Sequence, residues 1–207
     1  PRIVRLTGID PARSGDPNRL DLRILSEVDN AVLSAIVLRC DGDAATCAAR
    51  AEAAEAERAA ALAPPLSAED AGPVLSAVNL AGPAMTHDGI TFAADDGGVA
   101  GNILVESRTD SGPNGFQEAL ANTPFGSLRW GREIVWSGAA HAGPLALDLY
   151  FMEAWWPDAG RRVMAIEVEG EVLRTGFDVV AASGGDPDAP RIVRLTGIDP
   201  ARSGDPN

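Results

Sequence analysis

Lysine is missing altogether: all seventeen basic residues are arginine, set against thirty acidic ones. The arginine-only usage is a matter of composition and implies no mechanism. The resulting net charge of −13 argues against nucleic acid as a partner, because a phosphate backbone is held by clustered basic groups. Long apolar runs are missing too. None approaches the ~20 residues of a membrane-spanning helix. No signal peptide is visible, but the chain begins mid-pattern, which predicts a native start upstream. Cysteine and histidine occur twice each. Cys40 and Cys47 have no histidine nearby, which argues against zinc. Separated by DGDAAT, they predict a short disulfide loop and a location outside the cytoplasm, with two unpaired thiols as the alternative. His87 and His141 fall in loop sequence without Ser-His-Asp spacing. Tyrosine occurs once, as Tyr150.

What the chain does have is strand. Residues 145–180 read LALDLYFMEAWWPDAGRRVMAIEVEGEVLRTGFDVV. Leu145, Leu147, Leu149 and Phe151 alternate with Ala146, Asp148 and Tyr150, the period of a half-buried strand. Pro157, Asp158 and Gly160 supply a turn. Residues 163–168 alternate again, and Glu169-Gly170 is a tight hairpin signal. These strands predict the centre of an all-β, antiparallel β-sandwich. At 207 residues the chain can hold one sizeable core and a small extra element.

Upstream, residues 2–6, 20–25 and 32–38 have strand character, with breaks at 8–18 and 26–30. Residues 40–72 change abruptly. AATCAARAEAAEAERAAALA (44–63) is helical by propensity, but its charges leave only a narrow alanine face. It reads as a linker helix, ended by Pro64-Pro65. Residues 74–79, 90–93 and 103–106 are further strands. Residues 108–123 form a long polar loop of the kind that often carries function. Residues 125–136 return to strand with three aromatics.

An exact repeat outweighs these patterns. Residues 1–18, PRIVRLTGIDPARSGDPN, recur without change as residues 190–207. Chance does not give such an identity. It predicts a tandem array with a period of 189 residues, of which this chain holds one period and an overlap; an engineered duplication is the alternative. The overlap carries a net +1, so one period carries −14.

Several blocks resemble the malectin family. AVNLAGPAMTHDGITF (77–92) is similar to that family's opening, a Val-Asn followed by Gly and then Asp-Gly-Ile-x-Phe. LRWG (128–131) resembles its central Glu-Arg-aromatic strand. The run from Leu147 to Gly185 is similar to its block of Phe-Ala-Glu strand, Arg-Val-Phe strand and Phe-Asp-Ile segment. The family's closing pattern appears as VDNAVLSAIVL (28–38), upstream of the domain it should end. The resemblance implies a malectin-like or jelly-roll-like β-sandwich that binds carbohydrate or serves as an extracellular module. Combined with the repeat, it predicts three parts. Residues 1–39 supply closing strands to the preceding period's domain, 40–72 form the alanine-rich helical linker, and 73–207 form a sandwich lacking its last strands. In the alternative, a circular permutant, residues 1–18 and 190–207 compete for one slot.

Sugar recognition needs flat aromatic faces and planar polar groups. Candidates are Phe125, Arg129, Trp130, Trp136, Trp155, Trp156 and Asp178. The resemblance assigns Phe125, Trp130 and Asp178 to the family's ligand-contact positions, but that site leans on tyrosines, and Tyr150 falls in a core strand. Glu153 with Asp178 invites a glycosidase reading; the preferred reading makes Glu153 structural, and no enzyme is expected. No cofactor is expected, although Asp95-Asp96, Asp41 with Asp43, or Asp186 with Asp188 could bind Ca²⁺. The expected role is a structural or binding repeat unit of an extracellular filament or surface adhesin. Its partners would be neighbouring copies and glycans. The alternative is a stand-alone glycan-binding lectin module.

Overall fold

The computed structural model describes residues 4–9, 19–40, 45, 47, 72–99, 102–105, 120–139 and 145–198. Its chain order is β1 (Val4–Ile9), β2 (Arg19–Val28), β3 (Ala31–Leu33), β4 (Ala35–Cys40), β5 (Val74–Asn79), β6 (Met85–His87) and β7 (Ile90–Ala94). There follow β8 (Asn102–Val105), β9 (Ser127–Gly131), β10 (Glu133–Ala139), β11 (Leu145–Phe151), β12 (Val163–Val168) and β13 (Glu171–Phe177). A one-turn helix α1 (Val179–Ala182) and β14 (Arg191–Ile198) end the described chain. The strands form a seven-stranded sheet in the order β1-β14-β11-β4-β5-β7-β6, a four-stranded sheet β10-β2-β12-β13 and a three-stranded sheet β3-β9-β8. Pairing is antiparallel except for β1 with β14 and β5 with β7. The fold is the all-β sandwich that the alternation predicts.

The leucine face of β11 explains the packing. Leu147 and Leu149 stand in register with Leu38 and Ile36 of β4 and with Leu195 and Val193 of β14. They join Leu22 and Ile24 of β2 and Ile166 and Val168 of β12 in one buried cluster. Phe151 meets Phe177 of the other sheet with ring centroids 4.7 Å apart. Removing each such side chain from water contributes about 1.5–3 kcal/mol, so the two sheets are held chiefly by this layer.

The second face of β11 corrects the half-buried reading. Ala146, Asp148 and Tyr150 are as buried as the leucines. Asp148 tolerates burial because Arg39 and Arg194, from the flanking strands, donate to both of its oxygens. Tyr150 lies against Phe92 and Phe125.

Residues 19–40 occupy central places. β2 sits between β10 and β12, and β4 between β11 and β5. Within one chain, then, the strands expected to close a neighbour's sandwich close its own. Their alternation fits the register: Leu38 and Ile36 of β4 pair with Leu147 and Leu149 of β11. The stretch 32–38 is also two strands, not one. At Ser34 the chain crosses from the small sheet to the large one, its N–H donating to Tyr150 O and its carbonyl accepting from Leu80 N. The two identical segments lie side by side in the large sheet. β14 takes the slot beside β11, and β1 lies outside it.

Cys40 and Cys47 form the expected disulfide, with Cα atoms 5.6 Å apart. Closing so short a loop contributes about 2–3 kcal/mol by the chain-entropy estimate. Ala45 and Cys47 are helical; the rest of the expected linker helix lies outside the described residues. No helix among the described residues is long and apolar enough to cross a membrane.

Candidate carbohydrate site

The Val-Asn…Gly motif builds a turn against β9. Asn79 Nδ2 donates to Pro83 O at 2.8 Å, and Ser127 Oγ donates to Leu80 O at 2.8 Å. A Cβ on Gly82 would come within 2.2 Å of the Asn79 amide and 2.5 Å of Ser127 Oγ, so only glycine fits. Asp95 closes the turn by accepting from Ala81 N at 2.7 Å and from Arg129 Nε at 2.7 Å. Burial raises the Asp95 pKa, but the Arg129 guanidinium and the N–H groups of Ala81 and Gly97 outweigh it and hold the carboxyl below its ordinary 3.8. Arg129, expected to contact sugar, is thus engaged in pinning this turn.

Next along the chain, Asp88 and Gly89 both have positive φ (46° and 76°), the geometry of a two-residue hairpin turn. The hairpin joins β6 to β7 and pairs His87 with Ile90. It forms one wall of a cleft of about 290 Å³ lined by His87, Asp88, Phe125, Tyr150, Ala189, Pro190, Arg191 and Ile192. Phe125 lies on Tyr150, ring centroids 5.3 Å apart and tilted by 37°, and Phe92 meets Tyr150 edge-on at 5.7 Å. Arg191 is tethered through Nε to Ala182 O at 2.9 Å. An aromatic surface is thereby set beside a fixed cation, an imidazole and a carboxylate.

Burial, reinforced by the nearby Asp148 carboxylate, pushes the Tyr150 pKa up from 10.0 to about 12. The folded protein holds this proton more tightly than the unfolded chain does. Its contribution to stability is therefore full below pH 10 and is lost as pH rises toward 12, a change of about 2–3 kcal/mol. Tyr150 is the chain's single tyrosine, so phenolate absorbance reads it directly. The native protein should titrate near pH 12 and the denatured chain near 10. A native midpoint near 10 would contradict its burial.

The other expected residues lie elsewhere. Trp130 is half-buried on β9, in register with Val32 and Asn102. Trp136 is buried on β10. Trp155 and Trp156 stand edge to face, 6.5 Å apart, in the loop after β11. Trp155 is 45% exposed. Trp156 donates from Nε1 to Asp29 at 2.8 Å and lies 4.8 Å beneath the Arg161 guanidinium. Glu153 orders this loop: it accepts from Trp155 N, Trp156 N and Arg162. Asp178 is the N-cap of α1, accepting from Ala181 N at 2.9 Å and Gly160 N at 2.5 Å. Both oxygens of each carboxylate are occupied by donors of the chain itself. Asp95, Asp96 and Asp186 each accept backbone N–H groups. Among the described residues no three or more potential metal ligands cluster; Asp41 and Asp43 lie outside those residues.

Of the expected residues, therefore, Phe125 alone lines the cleft. Its companions Tyr150, His87 and Arg191 were not singled out for binding by the sequence. The local signal that could have found His87 is the Asp88-Gly89 pair that follows it, a favoured two-residue hairpin turn. A protein-family model described as the Malectin domain matches residues 74–194, more than half of the chain. No curated protein and no solved structure matches it. The matched span runs from β5 into β14 and excludes β2, β3 and β4, which complete the sheets from outside it.

Proposed function

The chain belongs to the malectin domain family, and we propose that it binds carbohydrate in the cleft between the β6–β7 turn and the start of β14. The Malectin domain match points to a carbohydrate-binding module. The observation that carries the assignment to this cleft is the tilted Phe125–Tyr150 pair beside Arg191, His87 and Asp88. An aromatic face suits the C–H surface of a sugar ring, and the charged and imidazole groups suit its hydroxyls. The disulfide supports a secreted, extracellular location. A glycan array probed with the intact chain tests this reading. Phe125→Ala should weaken binding roughly 10-fold, the effect of losing ~1.4 kcal/mol of contact, and Trp155→Ala should leave it unchanged. The reverse pattern would move the site to the tryptophan loop, and silence across the array would remove the reading.

A second reading has its own support. The eighteen-residue identity favours a repeat unit of an extracellular filament or surface adhesin whose partners are neighbouring copies. In such an array, weak single sites would add through multivalency.

A further inference from the structure

We propose that the flank of β11 is a strand-exchange site, occupied here by β14 and open to the identical strand of a second copy of this chain. β14 fits this flank by shape and charge. It pairs antiparallel with β11, buries Val193 and Leu195 and sets Arg194 on both oxygens of Asp148. β1 has the same sequence and lies against the outer edge of β14, parallel and in register, Val4 beside Val193 and Leu6 beside Leu195. It therefore runs in the direction the slot requires. Moving it by one strand spacing, ~4.8 Å, brings each residue to the place of its twin with no reversal and no change of register.

The outer position is the poorer of the two: it pairs with β14 alone, whereas the inner position pairs with β11 as well. The inner position also sets the strand's second arginine, Arg194 in β14, on Asp148. Among the described residues, then, two strands of one sequence match a single flank of β11. The surplus strand matches the same flank of any other copy, and because exchange replaces each contact with an identical one, its cost is chiefly that of association.

The test uses full-length Arg5→Glu, Arg194→Glu and the double variant. Each single variant keeps one competent strand and should melt within about 3 °C of the parent, whereas the double variant should melt roughly 10 °C lower. The peptide of residues 1–18 should bind the double variant one to one by native mass spectrometry and restore its melting temperature. The parent chain should do the same, giving a heterodimer. If the double variant does not fold alone, recovery of soluble protein on refolding with peptide is the readout. The proposal is overturned if Arg194→Glu alone is as damaged as the double variant. It is also overturned if the double variant melts with the parent, or if neither peptide nor parent chain rescues it.

Discussion

Asp148→Ala should lower the melting temperature by roughly 6–20 °C. The residue is 1% exposed in the middle of β11. Arg39 Nε donates to it at 2.8 Å and Arg194 at 2.5 and 2.7 Å. Removing the carboxylate leaves two guanidinium groups in a largely dry sheet, one of them itself 5% exposed. Breaking a buried pair in this way costs about 3–5 kcal/mol, and each kcal/mol shifts the midpoint of a chain this size by about 2–4 °C. The loss comes from the stranded charges more than from the missing attraction. Replacing all three residues with apolar side chains of similar volume should therefore recover much of the stability. A single Asp148→Ala variant that melts with the parent would show that Arg39 and Arg194 find other partners.

The second large effect belongs to Glu153→Ala. Glu153 is 1% exposed and accepts from the backbone N–H groups of Trp155 and Trp156 at 2.9 and 3.0 Å. Arg162 Nε donates to it at 2.7 Å, and the same guanidinium reaches Asn30 O and Asp29. One carboxylate thus ties the loop after β11 to the β2–β3 bend. Its removal should cost about 3–5 kcal/mol, shift tryptophan emission to the red and speed exchange of the Trp155 and Trp156 amides. Glu153→Gln should recover only part of the loss, because an amide nitrogen cannot accept a hydrogen bond. Unchanged melting and emission would mean that the loop is held by the Trp156–Asp29 contact instead.

Strands were legible where one face alternates. Residues 163–168 form β12, and Glu169-Gly170, with φ of 54° and 75°, makes the hairpin to β13. Residues 74–79 are a strand as read, and residues 191–198 form another. The breaks at Ser34 and Arg132 were not legible, because they are places where one stretch of strand-forming residues changes partner sheet. No propensity marks that. Asp178 shows a different limit. A carboxylate in a Phe-Asp-Val-Val sequence looks like a ligand group, yet the turn of helix that it caps is too short to show a helical period. The cleft was the least legible feature. It joins positions 87, 125, 150 and 191, which share no local pattern and meet only once the large sheet is assembled. Tyr150 read as core, and it is core; its ring also forms part of the cleft lining.

The central placement of β2 also sets when this protein can fold. Both of its sheet neighbours, β10 and β12, are far downstream: Arg23 bonds Glu133 and Glu167, 110 and 144 positions later. A ribosome adding about 5–20 residues per second delivers those partners roughly 5–30 s after β2 emerges. During that interval Leu20, Leu22 and Ile24 have no sheet to enter, and the strand travels with both edges open. Neither the four-stranded sheet nor the layer it builds against β11 can close until β12 has been made. Folding is accordingly a late event in synthesis, and residues 19–28 are the segment that a holding chaperone would need to shield.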